Sequence, residues 1–325
     1  MTVINPIHKG VYPAIQVPFN DDYSVDQEDL RRYSRWLSSF DGITGLVVNG
    51  HSGEITSLRP SERNQVTEIV VDEVGEVMPV ISGVLCEGTL ESIDHARDAE
   101  KAGAKGILLM PSHHWLRFGK HKDEAEKFVR SVASSINIPV IIHQYPAWTK
   151  ASYSTEELLS FVKIPGVAAI KMGTRDMSRW GHDYRVLKAN APNIQILSCV
   201  DEYLLPTLIE GADGALIGLA GFVPDLMVSL VRAAFDNNLE EAKKINDKTY
   251  QVTKMIYRFG EPSGSAHQRM KAAMKMLNIL RTDIVRPPLI PLNKDELSMI
   301  REDLTACKFL KNIERDKITY HQPSF

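Results

Sequence analysis

Cysteine is scarce in this 325-residue chain: Cys86, Cys199 and Cys307 stand far apart with no paired spacing. That excludes a disulfide framework and a thiolate metal cluster as the basis of the fold, and leaves the three as small buried apolar residues. An excess of charge is also lacking. The 38 basic and 41 acidic residues balance to a net charge of −3 with no Lys/Arg cluster, so there is no electrostatic footprint for nucleic acid or a membrane surface. No apolar run approaches the roughly 18 residues of a membrane span. The opening residues, Met1 to Pro6, carry neither the basic region nor the apolar stretch of a secretory signal. The expectation is a cytoplasmic protein with no nucleic-acid or membrane partner, acting on a small molecule.

What is there is a rhythm. The composition, 43% hydrophobic and 24% charged, supplies a sizeable core, and short apolar runs recur at 12–17, 45–49, 80–84, 106–110, 140–143, 167–171, 194–198 and 214–218. These predict eight buried strands. Amphipathic segments at 27–40, 61–77, 89–102, 122–135, 155–162, 177–190 and 202–210 separate them, with helix starts signalled at Ser61-Glu62 and Ser154-Thr155-Glu156-Glu157. Glycine closes the helix and admits the strand in Ala102-Gly103-Ala104 and again in Gly211-Ala212-Asp213-Gly214. Eight such units, with no glycine-rich dinucleotide turn after the first strand, predict an α/β fold of the (β/α)8 TIM-barrel type rather than an open doubly wound sheet. Beyond the eighth strand the pattern is helical, at 225–237, 239–259 and 265–278, followed by a proline-rich turn at 286–291, another helical stretch and a polar tail through 321–323. The chain therefore divides into a catalytic barrel, 1–223, and a C-terminal helical extension with its tail, 224–325.

In such a barrel reactive groups belong at the C-terminal strand ends, and four ends carry suitable residues. The second runs into Asn49-Gly50-His51-Ser52-Gly53-Glu54, where glycines admit close backbone approach and the loop amides with the Ser52 hydroxyl suit a carboxylate. An ordinary glycine-rich loop has the same pattern. The fourth ends Ser112-His113-His114-Trp115, fit equally for a surface or a subunit contact. The fifth ends His143-Gln144-Tyr145-Pro146, and alternation sets His143 on the face of Ile141. The sixth, Val167-Ala168-Ala169-Ile170-Lys171-Met172-Gly173, ends a buried strand on a lysine. Such a lysine either reaches solvent or, desolvated, attacks a ketone. These residues alone leave both readings open.

Taken together, the segments resemble the dihydrodipicolinate synthase and N-acetylneuraminate lyase superfamily. The resemblance runs from Gly10-Val11-Tyr12-Pro13-Ala14 through the Gly50 to Glu54 loop and Ala169-Ile170-Lys171 to Gly211-Ala212-Asp213-Gly214, nearly the whole chain. It implies a lyase without metal or cofactor, a homo-oligomer (tetramer or dimer), and a substrate that is pyruvate or another 2-oxo acid bound as a Schiff base on Lys171. It implies that Ser52 and the loop amides, with Gly53 admitting close approach, hold the substrate carboxylate, and that His51 and His113 shape the far end of the pocket. The departures are equally informative. The family's first loop hydroxyl is replaced by His51 and its relay tyrosine by His143, a tyrosine lent by a neighbouring subunit corresponds to His113, and the arginine for a second carboxylate falls on Trp148. Tryptophan offers no bidentate contact to a carboxylate, which argues against dihydrodipicolinate synthesis itself and for an aldolase or dehydratase with a less charged or aromatic substrate. Histidine titrates near neutrality, so His143 is the first candidate for proton transfer, with Tyr145 second if its loop turns inward. Two rivals stand beside this reading: a metal-assisted lyase using His51, His113 and His143, with Glu54, though their spacing matches no ligand motif, and a silent 2-oxo acid-binding sensor.

Overall fold

Eight parallel strands follow one another around a barrel: β1 (Gly10–Pro13), β2 (Leu46–Val48), β3 (Val80–Val84), β4 (Gly106–Leu109), β5 (Val140–Gln144), β6 (Val167–Met172), β7 (Gln195–Ser198) and β8 (Gly214–Ile217). The computed structural model describes residues 7–258 and 264–308. The expected polar tail and the last residue of the helix expected over 239–259 lie outside these. Each strand pairs in parallel with the next, and β8 returns to β1. Parallel bridges Val11↔Ile43 and Ala14↔Val47 complete the circle between β1 and β2.

Strand alternation decides what fills the barrel. Tyr12, Val47, Ile81, Leu108, Ile141, Ala169, Leu197 and Leu216, one from each strand, form a buried interior cluster with Ile7 and Ala14. The other strand face packs against helices in a second, larger core. Burial of each large aliphatic is worth about 1.5–3 kcal/mol, and a one-residue slip would turn it outward. Two residues beyond the inward Ile141, Ala169 and Leu197 stand His143, Lys171 and Cys199, so the same alternation that fills the core aims these three at the barrel mouth.

Between the strands run α1 (Gln27–Ser38), α2 (Pro60–Val74), α3 (Thr89–Lys101), α4 (His114–Phe118), α5 (Glu124–Ala133), α6 (Thr155–Phe161), α7 (Met177–Asn190), α8 (Leu204–Ile209) and α9 (Pro224–Phe235). Gly103 and Gly211, with φ of +92° and +113°, end α3 and α8 in the left-handed region that favours glycine. Ser154 Oγ accepts from the Glu157 N–H at 3.2 Å and the Glu157 carboxylate accepts from the Ser154 N–H at 2.7 Å, the reciprocal cap expected there. The start of α2 lies at Pro60 instead of Ser61, because proline suits the first helical turn and the Glu62 carboxylate caps the Arg59 N–H at 2.8 Å.

A feature that differs from the sequence expectation is the short helix α4, which occupies the loop after β4. Beyond α9, which begins at the expected division of 223/224, come α10 (Leu239–Tyr257), α11 (Ala266–Met276) and α12 (Lys294–Ala306); α9 packs on α10 as well as on β1 and α8. The segment between α11 and α12 ties the extension back to the barrel by polar contacts: the Ile279 carbonyl accepts from Arg32 of α1 at 2.6 Å, and Asp29 of α1 accepts from the Arg281 N–H at 2.9 Å. The Arg286 guanidinium donates to both Glu62 oxygens at 2.7 Å. Among the described residues no helix is long and apolar enough to cross a membrane.

Candidate active site

The mouth of the barrel is built outward from one strand pair. His143 and Lys171 are register partners on β5 and β6, neighbours across the roughly 4.8 Å that separates paired strands. Lys171 is 7% exposed. Among the described residues no carboxylate is in ion-pair contact with its Nζ; the Cys199 thiol at the end of β7 lies near enough for the two groups to act on each other electrostatically. Cys199 Sγ also lies 3.7 Å from His143 Nε2. Burial pushes the thiol's pKa up and outweighs the lowering by Lys171, so the sulfur stays protonated.

Tyr145 turns inward and joins this group. Its hydroxyl is 2.9 Å from His51 Nε2, and its ring meets that of His143 edge-on with centroids 4.9 Å apart. Burial, and then the field of Lys171, push His51 down to about 3, while burial raises Tyr145 far above the ordinary phenol value. With a neutral imidazole and a protonated phenol, the phenol donates and Nε2 accepts, which leaves the imidazole proton on Nδ1. His143 is also held well below its ordinary value, by burial first and then by Lys171 and His51. The titration of His143 therefore lies below the near-neutral range expected of it, because burial disfavours an imidazolium there and the neighbouring Lys171 adds to the effect.

The β2 loop supplies the opposite wall. Asn49 leaves the strand in the left-handed region and turns its amide outward to the Arg63 carbonyl, Thr67 and Ser82. A tight turn follows, in which the N–H groups of Gly53 and Ile55 donate to the Gly50 carbonyl at 3.1 and 3.3 Å and that of Glu54 to the His51 carbonyl at 2.9 Å. The turn thus occupies the Gly53 amide, and among the described residues the amides of His51 and Ser52 have no backbone acceptor. Glu54 itself is buried, with Lys271 Nζ at 2.5 Å from one oxygen and the Arg286 N–H at 3.0 Å from the other. It is an anchor of the loop. Among the described residues no group of three His, Cys, Asp or Glu side chains is arranged to hold a metal ion.

The remaining expected residues stand farther out. His113 precedes α4, half-buried, with its N–H on the Cys86 carbonyl at 3.2 Å; its charge contributes to the lowering of His51. Trp148 is 60% exposed on the loop after β5, outside the buried cluster. Three residues that the sequence reading passed over belong to it. Cys199 carries a plain signal, since Leu197 two residues earlier faces the interior. Asp201, buried, accepts from the Leu219 N–H at 2.8 Å and acts electrostatically on Tyr257 of α10; burial, aided by Glu202, pushes it up to about 6. His267 of α11 acts electrostatically on His51 and buries an unpartnered Nδ1. Tyr257 and His267 lie beyond the barrel in sequence, and only the fold brings them in.

Comparison with known proteins agrees with this architecture. The model of the dihydrodipicolinate synthetase family matches residues 7–307. A 4-hydroxy-tetrahydrodipicolinate synthase of Methanothrix thermoacetophila is 30% identical over 298 residues, covering 91% of this chain and 96% of the relative. One from Natronomonas pharaonis is 28% identical over 295 residues, with the same coverage of each chain. A crystal structure of a dihydrodipicolinate synthase superposes with a TM-score of 0.82 at 26% identity, covering 92% of this chain and 99% of the other. A match over nearly the whole length, across barrel and extension alike, makes this chain a member of the dihydrodipicolinate synthetase family, and a lyase.

Proposed function

We propose that this lyase acts on pyruvate or a longer 2-oxo acid through a Schiff base on Lys171. The observation that carries the reading is the setting of that lysine: buried, aimed into the barrel mouth, and faced by a thiol and two neutral imidazoles with no carboxylate paired to it. Such a site leaves the amine available to a ketone. Lys171 Nζ adds to the C2 carbonyl, the carbonyl oxygen takes a proton to give a carbinolamine, and loss of water gives the iminium. The iminium then accepts the electrons released when the C3–C4 bond breaks, or when the C3 proton leaves ahead of a β-hydroxyl. The two routes define an aldolase and a dehydratase.

The Ser52 hydroxyl and the amides of His51 and Ser52 suit the substrate carboxylate, opposite Lys171 and beside Gly53. A phenol both accepts and donates, so the Tyr145 hydroxyl passes one amine proton to the oxygen to give the carbinolamine; it then donates a second proton so that this oxygen leaves as water, and is itself reprotonated from solvent. His143, which faces the Cys199 thiol, shapes the pocket beside the imine. His113 lies at its outer rim, where a longer substrate would end.

Trp148 stands at the position of the family's carboxylate-binding arginine, which favours a substrate other than that of dihydrodipicolinate synthesis. Its exposure, with that of Leu116 and Phe118 at 39% and 66%, supports a second role. Lys150 Nζ ties the Trp148 loop to the Arg117 carbonyl of α4 at 3.2 Å, so these apolar groups share one rim, as a homo-oligomer contact requires. The metal-assisted alternative has less support, because Glu54, its carboxylate, is bound by Lys271 and Arg286.

A panel of 2-oxo acids assayed for pyruvate release and for dehydration tests the proposal. Turnover that survives a chelator and falls by about 10⁴ or more in Lys171→Ala, as loss of a nucleophile does, is the expected result. Full turnover in Lys171→Ala, or turnover abolished by the chelator, contradicts it.

A further inference from the structure

The buried ion pair between Glu54 and Lys271 joins residues 217 positions apart, one directly after the proposed carboxylate loop and the other on α11 of the C-terminal extension. Lys271 is 0% exposed and its partner's side chain 2%. Every direction from the ammonium is accounted for. It bonds Glu54 Oε1 at 2.5 Å and the Ile284 carbonyl at 2.8 Å, and it stands 4.2 Å from the centroid of the Phe19 ring. The other Glu54 oxygen accepts from the Arg286 N–H at 3.0 Å. The extension therefore holds both ends of one carboxylate.

Glu54 also holds an uncommon backbone conformation. Its φ of +55° lies in the left-handed region, which a non-glycine residue occupies only when its surroundings fix it. That backbone angle sets the course of the turn whose bonds run from Gly53, Glu54 and Ile55 back to Gly50 and His51. The extension touches the loop at a second point. A methyl group added at Gly218 would come within 2.9 Å of Ser52 Oγ and within 3.6 Å of both Tyr257 Oη and Met270 Cε, so α10, α11 and Ser52 converge at the end of β8.

We infer that Lys271 is a positioning residue for 2-oxo acid binding: by clamping Glu54 it fixes the loop 51–53 at the height where its amides and the Ser52 hydroxyl meet the substrate carboxylate. The inference rests on the Schiff-base reading for the identity of that carboxylate. Without Lys271 the Glu54 carboxylate is left buried and unpaired, which is strongly unfavourable; it swings toward solvent and takes the turn with it. Binding weakens while the amine on the opposite wall keeps its place.

The test compares wild type, Lys271→Met, and the charge-neutral pair Glu54→Gln with Lys271→Met. Three quantities are read: the pyruvate concentration that half-saturates borohydride trapping, hydrogen exchange of the amides at 53–55, and Tm. In Lys271→Met the half-saturating pyruvate rises by about ten- to a hundredfold, the scale of an ångström-sized misplacement, with a smaller change in the maximal trapping rate. The three amides exchange faster and Tm falls. In the double variant Tm recovers, since no buried charge is unpaired, while pyruvate dependence and exchange stay shifted because the clamp is still missing. A change in Tm alone, a shifted pyruvate dependence without faster exchange, or full recovery of both in the double variant overturns the inference. If the single variant does not fold, the double variant decides by the same readings. Exchange at 53–55 reports the loop whether or not pyruvate forms an imine, so a wild type that traps no pyruvate defeats the Schiff-base reading and leaves the exchange result to judge the clamp.

Discussion

The two walls of the pocket are positioned by different means. On one side His143 and Lys171 are set by local rules: they sit on paired strands, at inward positions fixed by the register that buries Ile141 and Ala169. On the other, His51 and Ser52 ride on a turn whose anchor, Glu54, is held by Lys271 and Arg286 from the far end of the chain. The first wall follows from strand register alone. The second depends on how the extension docks, so under the proposed function substitutions on the first wall are expected to change turnover and those behind the second to change substrate binding.

The largest effect that sharpens this comparison lies on the first wall. Tyr145→Phe removes the hydroxyl bonded to His51 and lowers turnover by about 10²–10⁴, the range for loss of general acid–base help, with little change in the affinity for pyruvate. His143→Phe costs less, because its imidazole faces a thiol at 3.7 Å and is not a proton-carrying partner of Tyr145. Steady-state kinetics of the two variants decide the matter. The reverse order would return the relay to His143.

A smaller effect is expected where the extension meets β7. Burial raises Asp201 from the ordinary 3.8 to about 6, and a carboxyl whose folded value is raised gives stability that is fully present below about pH 4 and is lost as pH climbs through about 6. The shift corresponds to about 2–3 kcal/mol. Asp201→Asn keeps the shape and removes the charge, so by denaturant unfolding it is expected to match wild type near pH 4 and to exceed it by up to that amount at pH 7. Equal stability at both pH values would show that the Leu219 N–H holds the ionised Asp201 well enough to offset its burial.

The division between the walls is also the division between what was legible in the sequence and what was not. Apolar runs of the right length and spacing gave the eight strands, and the glycines at 103 and 211 marked helix ends because only a residue without a side chain enters that conformation easily. Alternation placed Lys171 and His143, and the same rule applied to Leu197 would have found Cys199. The titration of His143 was not legible, since it depends on burial and on a lysine 28 residues away in sequence but adjacent in space. Nor was Glu54. As part of Gly50 to Glu54 it looked like a ligand-facing carboxylate, whereas its partners lie more than two hundred residues on and no periodicity points to them.

The central claim, that Lys171 is the residue on which this lyase carries its substrate, is tested most directly by reduction in place. Wild-type protein is incubated with pyruvate, borohydride is added, and the intact mass and the peptide map are read. Reduction of the iminium converts it to a secondary amine that survives digestion, so one pyruvate-derived adduct per chain, located at Lys171 and missing from Lys171→Ala, is the predicted result. An adduct located at another lysine, or none in a protein that turns over a 2-oxo acid, would contradict the account.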